Sequence, residues 1–332
     1  MNILDIRNLN IAIKTEEGAI NILNNFDLSI KKNQIHALIG ESGSGKSMVA
    51  KIILGIQNPS WEVTADRMNW NGIDLLKMSV KKRRKLMNND MSMIYQEPSS
   101  YLDPSMTIGQ QLEKVYRVKK KNWFSFGRKK SRDEDIKRVM QKVGIKNQKR
   151  IMESYAWELP EGICQKIMIA LAIINKPLLL IADEPTNMMS ASTCEQIYRL
   201  MYKLNQNNNL SILIVTNDIK SIESWADFVS ILYCGQKIEY GKTEKITSSP
   251  KHPYSHSLIN SKIYIEDNKT IKDSAILKGN IPSLNHIPIG CRLGPRCPYS
   301  KKECMIFPKF VDLKDHSYAC YFPKNINSEK DE

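Results

Sequence analysis

The sequence predicts an α/β protein built on a mostly parallel sheet, and three observations carry that expectation. Residues 178–182 form a short, fully apolar run bounded by Pro177 and Asp183, and residues 211–215 form a second. Runs of that length suit strands buried on both faces better than helices. Helical patterns lie between the runs, as β-α-β units require. A third apolar run, residues 34–39, enters a glycine-rich turn, and a helical pattern follows from Lys46 to about Gly55. At the N-terminus, residues 2–13 alternate in apolar character and read as a strand. Residues from about 97 to 165 are mostly helical in pattern. Beyond about 250, Pro, His and Cys become frequent and periodicity fades, so a boundary is expected between residues 1–250 and 251–332.

The chain of 332 residues has 42% hydrophobic and 25% charged residues, which excludes a disordered or collagen-like polypeptide. No run approaches the roughly 18 apolar residues of a membrane-spanning helix. The opening MNILDIRNLN alternates apolar and polar residues and does not read as a signal peptide. The net charge of +14 is localised. Residues 77–85 hold six bases and residues 117–132 hold eight, with no acid in either. Without those fourteen, 35 bases face 35 acids. Such patches suit nucleic acid or an anionic membrane face, or are solvated helix surface. In the second patch Trp123, Phe124 and Phe126 interrupt the bases. That pattern suits a membrane interface, or a loop tucked onto its own protein.

Gly40, Glu41, Ser42, Gly43, Ser44, Gly45, Lys46 and Ser47 fit G-x-x-x-x-G-K-[ST]. Small residues let consecutive backbone N–H groups turn around a polyphosphate, and the following helix points its positive end at the same anion. Lys46 is suited to the terminal phosphates of ATP and Ser47 to Mg²⁺. About 140 residues on, the run at 178–182 ends in two acids. Asp183 is placed to hold Mg²⁺, and Glu184 to polarise an attacking water. The bland alternative is a pair of acids capping a strand.

With these motifs the chain resembles the ATP-binding cassette family. Tyr95-Gln96-Glu97-Pro98 resembles its Q-loop, in which Gln96 would touch Mg²⁺. Leu159-Pro160-Glu161-Gly162-Ile163-Cys164-Gln165 stands where the signature L-S-G-G-x-x-Q is expected. Met189 and Ser190 fall in the D-loop, and Thr216-Asn217-Asp218 in the switch loop. Gln96-Glu97-Pro98, Leu102-Asp103-Pro104, Thr107-Ile108-Gly109, His252-Pro253-Tyr254 and the segment IGCRLGPRCPY at 289–299 are similar to the oligopeptide and dipeptide transporter ATPases.

The resemblance implies a RecA-like, mostly parallel core sheet, an N-terminal antiparallel β part, a helical subdomain at about 97–165 and a Cys-containing C-terminal extension. It also implies a peripheral ATPase at the cytoplasmic face of the cell membrane, with no nucleic-acid role. Its partners would be two membrane-spanning permease subunits and a second, related ATPase. The transported class would be peptides, with antimicrobial peptides or polyamines also within the family's range. A non-hydrolysing scaffold, or a soluble cassette protein acting on nucleic acid or ribosomes, are the alternatives.

The pattern breaks at several places. The signature Ser is Pro160, which has neither hydroxyl nor N–H. The following Gly is Glu161, the D-loop Asp is Ser190, and the switch His is Asn217. Ile13 stands where an aromatic often stacks on adenine. Of seven cysteines, Cys164, Cys194 and Cys234 read as small apolar core residues. Cys291, Cys297, Cys304 and Cys320 cluster with spacing C-x5-C-x6-C-x15-C, which suits a metal centre but is not a zinc-ribbon pattern. The resemblance implies a [4Fe–4S] cluster there. Zinc is the alternative, with His286 or His316 as substitute ligands, and free thiols are the plainest reading.

Overall fold

The computed structural model describes residues 1–16, 18–119, 128–187, 189–267, 277, 279–283 and 287–324. Trp123, Phe124, Phe126 and His286 lie outside them. The chain divides into two compact units. One comprises residues 1–31, 36–78 and 216–332, and the other comprises residues 32–35 and 79–215.

The first unit opens with two long antiparallel strands, β1 (Asn2–Thr15) and β2 (Gly18–Lys31). Their alternating residues bury one face, with Leu4, Ile6, Leu9 and Ile11 fully inaccessible. Next come β3 (Ile35–Ile39), α1 (Lys46–Ile53), β4 (Trp61–Thr64), β5 (Arg67–Trp70) and β6 (Ile73–Asp74). β5 and β4 both pair with β1, so an antiparallel sheet orders as β2-β1-β5-β6 with β4 beside β1.

In the second unit α2 (Val80–Asp90) leads into β7 (Met91–Ile94). Helices follow: α3 (Pro98–Tyr101), α4 (Ile108–Lys119), α5 (Arg128–Lys142), α6 (Gln148–Glu153) and α7 (Glu161–Ile173). Then come β8 (Leu179–Asp183), α8 (Ala191–Asn208) and β9 (Ser211–Thr216). β7, β8 and β9 are parallel neighbours. Most of the run at 178–182 is a buried strand: Leu179, Leu180, Ile181 and Ala182 have no exposed surface, whereas Leu178 precedes β8 and is exposed. The basic run at 77–85 falls mostly on α2, where Lys81, Lys82, Arg84 and Lys85 are exposed and Arg83 is buried.

The chain returns to the first unit with α9 (Ile219–Ile222), β10 (Phe228–Tyr233), β11 (Gln236–Lys242), α10 (Thr243–Ser248) and α11 (Pro253–Asp267). β10 runs parallel to β3 and antiparallel to β11. Cys234 and Gly235, both at positive φ, turn the β10–β11 hairpin. The last strands, β12 (Val311–Leu313) and β13 (His316–Tyr318), extend this sheet, because β13 pairs with β11. The segment beyond 250 therefore clusters with the first unit, not as a body of its own. A buried carboxylate fixes it there. Glu239 accepts hydrogen bonds from the backbone N–H groups of Lys251 and His252 at 2.8 and 2.9 Å. His316 Nε2 lies 2.6 Å from the same side chain.

Candidate functional site

In the first unit, β3 delivers the loop of residues 40–47. All five residues of β3 are buried, and the strand ends at Ile39. Gly40 then passes so close to β10 that a Cβ would lie 2.1 Å from the Leu232 carbonyl oxygen. Only glycine fits that approach. Gly43 and Gly45 take φ of 79° and 102°, where side chains are strained, and Gly45 caps α1. Lys46 is 4% exposed, and its Nζ donates to the carbonyls of Gly40 and Glu41 at 2.8 and 2.9 Å. Ser44 Oγ is buried with no hydrogen-bond partner among the described residues. An orphaned buried hydroxyl costs about 1–3 kcal/mol, so a ligand bearing acceptor oxygens fits here.

In the second unit, the register of β7 on β8 pairs Ile94 with Ala182. Gln96 and Glu184, each two residues further on, leave the same edge of the sheet. Gln96 is exposed, and Asp183 and Glu184 are half-buried. Glu184 sits at φ 44°, a region costly for a non-glycine residue, while its N–H donates to the Val215 carbonyl at 2.8 Å. That strained turn carries the carboxylate off the strand end. Tyr95 stacks on Tyr101 at 4.0 Å, bracing the start of the Q-loop segment. Asn217 follows β9 with its side chain exposed. Asp218, not Asn217, caps α9 by accepting from the N–H groups of Lys220 and Ser221.

The signature segment starts α7. Pro160 is its N-cap and makes no side-chain cap, and exposed Glu161 occupies the first turn. Pro160 brings neither hydroxyl nor N–H to this helix start, and the Glu161 carboxylate offsets its positive end. The rest of the motif keeps its packing role. A Cβ on Gly162 would lie 3.1 Å from Thr193 Cγ2. Gln165, fully buried, donates to the Pro185 carbonyl at 2.7 Å and so ties α7 to the segment after Glu184. Ser190 caps α8 by accepting from Thr193 N–H, a role Ser and Asp share. Ile13 pairs with Ile20 on β2 and Trp61 on β4.

Cys164 and Cys234 are buried, whereas Cys194 is only half-buried. Cys291, Cys297, Cys304 and Cys320 line one small cavity with His252 and Tyr321. All four are free thiols. Burial pushes the thiols of Cys291 and Cys297 up, and that of Cys320 up to about 12. Among the described residues no group of three or more His, Cys, Asp or Glu side chains is placed to hold a metal ion. His316 is engaged by Glu239. The four cysteines thus share one cavity without forming such a group.

Two residues that the sequence left without a role touch the loop. Tyr254 Oη accepts from the Glu41 N–H at 2.8 Å, across 213 residues. Arg296 Nη1 lies 3.2 Å from Glu41 Oε2, across 255 residues. Both fall in segments recognisable by motif, but nothing local announces the partner.

This architecture is that of an ATP-binding cassette, and comparison with known proteins agrees. The family described as ABC transporter matches residues 23–187. The family described as oligopeptide/dipeptide transporter, C-terminal region, matches residues 238–304. The chain is 44% identical to the peptide transport system ATP-binding protein SapD of Escherichia coli O6:H1, over 99% of this chain and 100% of the relative. It is 46% identical to SapD of Haemophilus influenzae, covering 99% and 95%. To the dipeptide transport ATP-binding protein DppD of Escherichia coli K12 it is 32% identical, with 97% of each chain covered. Among solved structures, the dimeric ATP-binding cassette MJ0796 bound to ADP and Pi superposes with a TM-score of 0.63. Its identity is 24%, and it covers 72% of this chain and 98% of that one, a likeness of fold. The chain therefore belongs to the ATP-binding cassette transporter ATPases, in their oligopeptide/dipeptide branch.

Proposed function

We propose that this chain is the ATP-binding subunit of a peptide transporter and that it hydrolyses ATP weakly. One observation carries the reading. In the first unit residues 40–47 follow the carboxyl end of β3, parallel to β10, and in the second Gln96 and the Asp183–Glu184 pair follow the carboxyl ends of parallel β7 and β8, the ends at which α/β sheets bind ligands. Whole-length similarity to peptide transport ATP-binding proteins supports the substrate class. Antimicrobial peptides and polyamines are the narrower alternatives.

In this reading the backbone of residues 40–47 cradles the phosphates at the N-terminus of α1. Ser44 Oγ gains the acceptor it lacks. Lys46 exchanges two carbonyls for terminal phosphate oxygens. Ser47, Gln96 and Asp183 would hold Mg²⁺, which would supply charge neutralisation to the phosphates. Glu184, aimed by its strained backbone, polarises the attacking water. Asn217 donates a hydrogen bond but cannot carry the charge of an imidazolium.

The signature half serves a second, related ATPase in a head-to-tail pair. There Pro160 and Glu161 remove a donor and add negative charge, so that nucleotide is held more than turned over. Residues 96–104 form the docking surface for a short helix of one of two permease subunits, at the cytoplasmic face of the membrane. No helix among the described residues is long and apolar enough to cross a membrane. The four cysteines, which share a cavity, would hold one [4Fe–4S] cluster rather than zinc, a reading that rests on the resemblance to the oligopeptide/dipeptide branch.

ATPase assays of the reconstituted transporter with Lys46→Ala and Glu184→Gln test the reading. Both variants should lose turnover, and only Lys46→Ala should lose nucleotide affinity. Full turnover with Glu184→Gln, abolished instead by the equivalent change in the partner ATPase, would overturn the placement of hydrolysis here.

A further inference from the structure

We propose that Arg296 is a positioning residue of the loop at 40–47, through which the four-cysteine segment sets nucleotide affinity. The inference rests on the reading of that loop as the nucleotide site.

Glu41 puts a carboxylate at the second position of a loop meant for polyphosphate. Its uncompensated charge would repel the ligand. Arg296 reaches it from the extension, with Nη1 3.2 Å from Glu41 Oε2 and 3.1 Å from the Tyr233 hydroxyl. The arginine side chain is only 10% exposed and the Glu41 side chain 31% exposed, so solvent screens this pair less than a surface pair. Tyr254 grips the same residue by its backbone N–H. Burial pushes the Tyr254 phenol well above its ordinary range, so the hydroxyl remains neutral. A third contact runs through the β10–β11 hairpin. Arg292 donates to the Cys234 carbonyl, and the Gly235 N–H donates to the Ser44 carbonyl at 3.0 Å.

All three contacts start beside the cysteine cavity. Arg292 follows Cys291, Arg296 precedes Cys297, and Tyr254 follows His252 and Pro253, which line the cavity. A change in the packing of Cys297 therefore moves the neighbouring guanidinium, and with it the charge balance at Glu41. Linkage makes the effect reciprocal for binding.

The test is a mutant cycle on Mg-ATP affinity, measured by calorimetry on the purified full-length chain. Arg296→Gln should weaken binding about five- to tenfold, because it leaves Glu41 unpaired beside the phosphates. Glu41→Gln alone should bind as tightly as wild type or tighter. The double variant should recover most of the loss, which a merely structural role for Arg296 would not allow. Arg296→Lys should stay within about threefold of wild type. Cys297→Ser should weaken binding in the wild-type background and not in Glu41→Gln. Lys46→Ala separates the two readings. If Lys46→Ala binds like wild type, the nucleotide-site reading fails. If Lys46→Ala loses binding while Arg296→Gln does not, or if Glu41→Gln fails to rescue Arg296→Gln, the positioning role is refuted. Should Arg296→Gln not fold, Glu41→Gln against Glu41→Gln/Cys297→Ser still decides. A weakening by Cys297→Ser that persists without the Glu41 charge overturns the proposal.

Discussion

Replacing Asn217 by His should accelerate ATP hydrolysis by this chain's own site. The substitution is structurally quiet. Asn217 is exposed, and the adjacent α9 is capped by Asp218, whose carboxylate accepts from the N–H groups of Lys220 and Ser221 at 3.1 and 3.4 Å. No packing or cap is lost, so stability should change by less than about 0.5 kcal/mol. The catalytic effect is larger. Removing a preorganised donor at a developing charge costs about 10²–10³ in rate, or roughly 3–4 kcal/mol. Asn217 already donates, so the imidazole recovers only the part due to charge and proton handling. We take that part as about tenfold to a hundredfold in kcat, or roughly 1.4–2.7 kcal/mol. The assay is steady-state phosphate release by the reconstituted transporter at saturating ATP, with Asn217→His, Glu184→Gln and the double variant. The double variant should be as inactive as Glu184→Gln. An unchanged kcat for Asn217→His, or a gain that survives Glu184→Gln, would refute the assignment of Asn217 to the γ-phosphate.

Three further outcomes are expected. Gly40→Ala should weaken nucleotide binding and lower the melting temperature, because its Cβ would meet the Leu232 carbonyl at 2.1 Å and Ser44 Oγ at 2.8 Å; overpacking of this kind costs about 1–3 kcal/mol. His36, fully buried on β3 and 2.9 Å from Ser230 Oγ, has its pKa lowered from 6.5 to about 3, chiefly by burial. The unfolded chain therefore takes up this proton first, and stability present above pH 6.5 is lost as pH falls towards 3. At pH 5 the loss is about 2 kcal/mol, and urea titrations at pH 7 and pH 5 should show that difference shrink by this amount in His36→Gln. Finally, anaerobic purification followed by iron, sulfide and zinc analysis should find iron and sulfide in the wild type and a loss of both in Cys304→Ser. Zinc alone, or no metal, would refute the cluster.

Much of the proposed site can be read from the sequence because its motifs are runs of consecutive residues. In the proposed reading residues 40–47 act through neighbouring backbone N–H groups and the helix that follows, so spacing alone picks them out. Asp183 and Glu184 sit at the end of an apolar run whose length and flanks mark a buried strand. The substitutions at Pro160, Glu161 and Asn217 were equally plain, since each changes a functional group at a fixed offset. Ser190 was not: read as a loss, it caps α8 as an Asp would. The domain boundary near 250 reflected composition, yet β13 pairs with β11 and Glu239 anchors Lys251 and His252, so that segment clusters with the first unit.

The sequence by itself marked β1, β3, β8 and β9, the glycine-rich turn at 40–47 and the acids that end β8, because hydrophobic run length and local backbone geometry act over a few residues. Only the tertiary structure decided what surrounds them: Arg296 and Tyr254 on Glu41, Gln165 on Pro185, Arg83 buried within a basic run, and four cysteines around one cavity. The Glu41 contacts depend on the return of the chain after more than two hundred residues. They and the Gln165–Pro185 bond pair charges or polar groups brought together by the burial of apolar side chains elsewhere, and nothing in the local sequence encodes the distance.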